Sequence, residues 1–160
     1  MTDAQQVISL LFGLIGLISF FLAIISIKRT SKPGKLKHIN TGAYGLTPIL
    51  YPWGIFVWGD ALIFGLFWFF ASLISIVLND WNLFGLIFSI FWVVRGIGET
   101  VYWFNQQFST VERVPLNILP FHRFFKDDSV WFIVQIIMQC ITVVSIILSL
   151  YFAKMWLASL

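Results

Sequence analysis

The sequence predicts an all-α membrane protein, a bundle of four transmembrane helices with interfacial segments before span 2 and between spans 3 and 4. Two observations lead to this prediction. The 160 residues are 59% hydrophobic and only 11% charged, which leaves too little polar surface for a water-soluble domain of this size. Apolar runs of about twenty residues also recur, the length of a helix that crosses the hydrocarbon core. We therefore expect a single transmembrane domain over residues 1–160.

The spans are predicted from the apolar runs and the polar residues that bound them. They lie at about residues 7–27, 59–78, 83–104 and 129–152. In span 1, Ser9, Gly13 and Gly16 form a face of small residues that lets a second helix approach closely. The polar turn between spans 2 and 3, residues 79–82, is short, so these two spans are expected to form an antiparallel hairpin.

A basic block follows span 1, with five cations between Lys28 and Lys37. Because Lys and Arg are enriched in cytoplasmic loops, we expect the 28–37 loop and the 105–128 loop on the cytoplasmic side of the cell membrane. Both termini are then outside. Of the ten Lys and Arg residues, eight lie inside, Lys154 lies outside, and Arg95 is within the membrane. This imbalance supports the orientation.

The same block sets the expected partners. It is a candidate site for anionic lipid head groups, although a topology signal alone explains it. The net charge of +3 is concentrated at the predicted interfaces, so we expect the lipid bilayer as a partner and no nucleic acid.

Residues 46–78 form an apolar run of 33 residues counting both ends. As one straight helix this run would be about 50 Å long, against a hydrocarbon core of about 30 Å. Pro48 and Pro52 indicate an interfacial or re-entrant segment before the true span.

Two positions for Asp60 follow from this run. If span 2 begins near Ala61, Asp60 caps the helix at the inner interface. If the helix begins at Thr47, Asp60 lies near the middle of the bilayer and needs a cation, for which Arg95 is the candidate.

Span 3 carries a polar ridge of Arg95, Glu99, Tyr102 and Gln106, at intervals of four, three and four residues. These intervals place the four side chains on one helical face. Ionised groups at membrane depth face a partner or water and not acyl chains. We therefore predict a polar site here, with Arg95 and Glu99 as an intrahelical pair. The order Arg before Glu is the weaker one for a lone helix, so a further partner is expected.

Span 4 carries the polar residues Gln135, Gln139, Thr142 and Ser149, again on one helical face. Amide side chains in lipid bind partners on other helices. This face is predicted to meet the ridge of span 3, with Asp60 as a further neighbour.

Motifs for common enzyme chemistry are absent from the sequence. It contains no phosphate-binding loop, dinucleotide fingerprint, metal-binding His or Cys pair, or glycine-flanked serine nucleophile. No cofactor and no metal are expected. Catalytic residues cannot be assigned, and the composition favours a protein that is not an enzyme.

Two functional hypotheses remain open. The first is a homo-oligomeric channel or transporter component, or an accessory subunit of a larger membrane complex, with Arg95 and Glu99 lining or bracing a polar interior. The alternative is a membrane-embedded enzyme or lipid-binding protein acting on an anionic lipid at the inner leaflet. There Arg95 would hold the head group, and Glu99 or Tyr102 would act as acid or base.

The surroundings of the ridge distinguish these hypotheses. A water-lined ridge at a subunit interface favours transport, and a cleft open to the inner leaflet favours a lipid. A dry, fully paired ridge favours a structural role, because a buried ion pair can serve only to fix the register of helices.

Overall fold

The computed structural model describes residues 1–30, 47–108, 124 and 129–159. Its helices are α1 (Asp3–Thr30), α2 (Thr47–Leu50), α3 (Trp58–Val77), α4 (Trp81–Phe108) and α5 (Ser129–Leu157), with a 3-10 turn at Tyr51–Trp53. Helices α1, α3, α4 and α5 are each long and apolar enough to cross a membrane. The predicted all-α class with four spans is confirmed.

Two of the helices continue past their predicted spans into residues predicted as cytoplasmic loops. Helix α1 continues to Thr30, so Lys28 and Arg29 are helical and not part of the loop. Helix α4 continues to Phe108, so residues 105–108 are helical where a loop was expected. Neither extension contains a proline or glycine that would end a helix. Apart from Phe124, the rest of both loops lies outside the described residues, as do His38 and His122.

The chain divides into two compact units, Met1–Phe84 and Gly85–Leu160. In the first unit, α1 and α3 pack antiparallel, since Gly13 faces Ser72 and Gly16 faces Gly65. A Cβ atom added at Gly65 would lie 2.6 Å from the backbone oxygen of Gly16. The predicted small-residue face of span 1 therefore lies at a close helix contact.

The turn between α3 and α4 also belongs to the first unit. Asn79 adopts a left-handed conformation with φ of 50°, which Asn tolerates better than most residues. The Asp80 carboxylate then accepts the backbone N–H groups of Asn82 and Leu83, at 2.8 and 3.1 Å, and so caps the first turn of α4. The short turn predicted between spans 2 and 3 is present.

The segment before α3 runs back beside that helix, which is the geometry expected of the predicted re-entrant segment. Trp68 lies ten residues past Trp58, about 15 Å along α3, yet its indole N–H donates to the backbone oxygen of Trp53 at 3.0 Å. Trp53 in turn donates to the backbone oxygen of Phe12 at 2.9 Å, and their rings stack at 4.3 Å. The segment thus reaches about halfway along α3 before the chain turns back.

A glycine closes this re-entrant turn. Gly54 has φ of 67°, and its N–H donates to the Tyr51 oxygen at 2.9 Å, while Ile55 N–H donates to the Leu50 oxygen at 3.4 Å. This pair of bonds is a Schellman motif, which needs a left-handed residue at the position of Gly54. One continuous helix from Thr47, the alternative raised for Asp60, is not formed.

The second unit holds the rest of α4 and α5, packed antiparallel. A Cβ atom added at Gly85 would lie 2.5 Å from the ring of Phe152. At Gly96 an added Cβ would overlap the Thr142 hydroxyl and lie 3.3 Å from the Met138 oxygen. The two glycines therefore set the distance between these helices.

Candidate functional site

The site begins with two charged residues one turn apart on α4. Arg95 Nη2 lies 2.9 Å from Glu99 Oε1, and the two side chains are only 17% and 12% exposed. The spacing of four residues places the guanidinium over the carboxylate on one helical face. This contact gives one oxygen of Glu99 a charged donor.

The second oxygen of Glu99 is held from the other side along the helix. The indole N–H of Trp103 donates to Glu99 Oε2 at 2.9 Å, and Trp103 is itself buried. Glu99 as a whole residue is 9% exposed. Residues four before and four after Glu99 on its own helix thus bind both oxygens of the carboxylate.

The next step of four residues leads to the neighbouring helix. The amide of Gln107 donates to the Trp103 backbone oxygen at 3.2 Å and to Gln135 Oε1 of α5 at 2.5 Å. We call the series Arg95, Glu99, Trp103, Gln107 and Gln135 the polar ladder. It connects the charged pair to α5.

The ladder differs in part from the ridge predicted on span 3. From Glu99 the prediction continued three residues on to Tyr102 and then to Gln106, whereas the ladder continues through Trp103 and Gln107. Tyr102 packs its ring edge-on against Trp103 at 5.1 Å, and Gln106 is 2% exposed. Trp103 was missed because an indole is usually counted as apolar, although its N–H is a hydrogen-bond donor.

Asp60 bonds to the backbone of its own segment. Its Oδ2 accepts the N–H groups of Phe56 at 3.0 Å and Val57 at 3.2 Å. It occupies the third position of α3, after the N-cap residue Val57. The prediction that Asp60 is the N-cap residue of a helix beginning near Ala61 is corrected, because the helix begins earlier and Val57 is the N-cap. Asp60 instead bonds back to the N-terminal backbone from the third helical position, where a carboxylate is also favoured by the helix dipole.

The polar residues of span 4 do not all meet α4. Gln135 and Thr142 do, through Gln107 and Gly96. Gln139 is exposed, which corrects the expectation that it faces the ridge. A step of four residues advances about 400°, so Gln139 lies about 40° further round the helix than Gln135. That turns it toward the exposed side of α5.

Other candidate sites in the described residues are weak. Among them, no group of three or more His, Cys, Asp or Glu residues is placed to hold a metal ion. A shallow depression is lined by Asp3, Gln6, Val7, Leu10 and Ile76. It belongs to the first unit, whereas the ladder belongs to the second.

Comparison of the chain with known protein families, with curated proteins and with solved structures gives no match.

Proposed function

We propose that this chain is a small non-enzymatic subunit of a membrane assembly, and that the polar ladder braces α4 against α5. The assembly is formed with further copies of the chain or with a larger membrane complex. The observation that supports the proposal most directly is the enclosure of Glu99, whose two oxygens are bound by Arg95 and Trp103 of its own helix.

The bonds of the Glu99 carboxylate to Arg95 and Trp103 argue against a role in which Glu99 binds a solute or a substrate. A charge in a low-dielectric interior is tolerated when it is paired and hydrogen-bonded. Arg95 and Trp103 meet this requirement without a ligand, and Glu99 is 9% exposed. A transport site or a general acid or base must instead exchange its partners for the solute or the reacting group.

The packing beside the ladder supports the same function. At Gly96 an added methyl group would overlap Thr142 and lie 3.3 Å from the Met138 oxygen. Helices this close leave no room between them for a solute path at that level. The hydrogen bond between the side-chain amides of Gln107 and Gln135 lies about three turns of α4 past Gly96, so the contact between the two helices extends that far.

In this proposal the chain has the membrane orientation that its charge distribution predicts. The chain lies in the cell membrane with both termini outside, and the 28–37 and 105–128 loops face the cytoplasm. Lys28 to Lys37 are then placed beside the anionic head groups of the inner leaflet.

The test is purification in a mild detergent followed by native mass spectrometry and flux assays in liposomes. We expect the wild-type chain to retain further copies or a partner protein, and to conduct K⁺, Cl⁻ and H⁺ no faster than protein-free liposomes. The matched variant carries Arg95→Met with Glu99→Leu, which removes both charges and keeps the volume. It should retain the same partners.

Two results would contradict the proposal. Ion flux in the wild type that the double variant abolishes would assign the ladder to a conducting path. One anionic lipid retained by the wild type and lost on Arg95→Met would instead support the lipid-binding alternative.

A further inference from the structure

Gln139 is an exposed amide at the centre of a predicted span. It lies ten residues past Ser129, about 15 Å along α5, which is half the thickness of a hydrocarbon core of about 30 Å. Among the described residues it has no hydrogen-bond partner. Its amide would therefore meet acyl chains that can neither donate nor accept a hydrogen bond.

Three other polar side chains of α5 are hydrogen-bonded. Thr142 donates to the Met138 oxygen at 2.8 Å, and Ser149 donates to the Ser145 oxygen at 2.8 Å. Gln135 accepts from Gln107. A hydroxyl can bond to the carbonyl four residues earlier, but a glutamine amide has two donors and an acceptor to place. Gln139 is thus the exception among these side chains.

We propose that Gln139 pairs with Gln139 of a second copy of this chain. This inference rests on the proposed function and names its partner. The amide group is self-complementary, so two facing glutamines can form two reciprocal N–H···O bonds. Copies inserted with the same orientation are related by a twofold axis along the membrane normal, so equal residues meet at equal depth.

The surface around Gln139 fits a helix partner. Three apolar side chains are exposed on the same side of α5 as Gln139: Ile136, Val143 and Ile147. Together with Gln139 they are spaced by three, four and four residues. In lipid, apolar contact alone gives little preference for another helix, and the hydrogen bond supplies it. Cys140, the only cysteine in the chain, is exposed on this same side.

Cys140 makes the pairing measurable in the native sequence. We would reconstitute the full chain in liposomes and oxidise it with copper phenanthroline, then measure the fraction of disulfide-linked dimer over a range of protein-to-lipid ratios. A disulfide needs Cα atoms within about 7 Å, so it reports close parallel packing of the two α5 helices. We expect a dimer from the wild type and none from Cys140→Ser.

The decisive variant is Gln139→Leu, which keeps Cys140 and the apolar face. It should weaken dimerisation about tenfold, as expected for the loss of two modest hydrogen bonds between helices in lipid. The matched control places the thiol on α3, as Ile63→Cys in a Cys140→Ser background, because Ile63 is 69% exposed. That thiol should link only by collision, and to the same extent whether or not the Gln139→Leu change is also made.

Dimer formation by Gln139→Leu at the wild-type level would overturn the inference, as would an Ile63→Cys thiol that links as efficiently as Cys140. Native mass spectrometry separates this outcome from failure of the proposed function. A single copy bound to another membrane protein would refute the pairing and leave the subunit role intact. A dimer whose ion flux is abolished by Arg95→Met with Glu99→Leu would support the pairing and refute the bracing role of the ladder.

Discussion

The two units of this chain differ in how a carboxylate and an indole are hydrogen-bonded. In Met1–Phe84 the bonds run from side chains to backbone, as when Trp68 donates to the Trp53 oxygen and Asp60 accepts two N–H groups. In Gly85–Leu160 a charged side chain is bonded to another side chain, as with Arg95 and Glu99. Carboxylates and indoles therefore have different roles in the two units.

The difference follows from the backbone. The re-entrant segment before α3 cannot satisfy its own N–H and C=O groups, and irregular backbone at membrane depth is tolerated only when protein supplies the partners. Asp60 and Trp68 supply them. Helix α4 has its backbone bonds in place, so the Glu99 carboxylate is bound by the side chains of Arg95 and Trp103. Asp60 and Trp68 thus bind irregular backbone, whereas Arg95 and Glu99 bind each other.

The largest expected effect is at the helix contact of the first unit. Gly65→Leu would place its Cβ 2.6 Å from the Gly16 oxygen, and neither backbone can move without parting α1 from α3. We expect a loss of stability of about 3 kcal/mol or more, measured as a lower melting temperature in detergent or loss of folded protein.

Gly98 provides the control, because a Cβ added there meets nothing within 4 Å. Gly98→Ala should leave the melting temperature unchanged or raise it, since alanine is favoured over glycine in a helix by about 1 kcal/mol. Equal destabilisation by both variants would show that Gly65 is not at a close contact.

The second effect is at the charged pair. Glu99→Gln leaves Arg95 without its carboxylate and should cost about 3 kcal/mol, whereas Arg95→Met with Glu99→Leu removes both charges and should be milder. Thermal unfolding in detergent measures both. An unaltered melting temperature for Glu99→Gln would mean that Arg95 does not depend on Glu99.

A smaller effect is expected at Asp60. Asp60→Ala removes the acceptor of the Phe56 and Val57 N–H groups and should cost about 1 to 2 kcal/mol. Asp60→Asn keeps an acceptor oxygen and should cost less. Amide hydrogen exchange at Phe56 and Val57 should speed up in the alanine variant, and unchanged exchange would refute the bonds.

The smallest effect is expected at the hydrogen bond between the side-chain amides of α4 and α5. Gln107→Leu, Gln135→Leu and the double variant form a cycle whose coupling energy we expect at about 0.6 kcal/mol, as for other hydrogen bonds between helices in lipid. Additive losses in melting experiments would show that the two amides do not interact.

The fold was predictable because hydropathy reports the length of chain in contact with lipid. It does not report where a helix ends, since a helix can continue past its apolar run, as α1 does to Thr30 and α4 to Phe108. The re-entrant segment was foreseen from Pro48 and Pro52 only as one of two alternatives. Choosing between them required the contacts of Trp53 with Phe12 and Trp68, which are distant in sequence.

The part of the candidate site formed by residues close in sequence was predictable. Arg95 and Glu99 are four residues apart, and this spacing alone brings them together. Trp103 is also four residues from Glu99, but its largely apolar ring kept it out of the predicted site. Gln139 lies off the predicted face because a step of four residues turns about 40° beyond a full circle. A partner for an exposed amide on another copy cannot be read from one sequence.

The polar ladder is also a spiral. Each step of four residues turns about 40° beyond a full circle, so from Arg95 to Gln107 the line of bonds winds through about 120° while it rises about 18 Å. The Arg95 guanidinium and the Gln107 amide, which bonds to α5, therefore lie on different sides of α4. The bonds from Arg95 to Gln107 join residues of α4 and would turn with that helix. The bond between Gln107 and Gln135 is therefore the step of the ladder that resists rotation of α4 about its own axis.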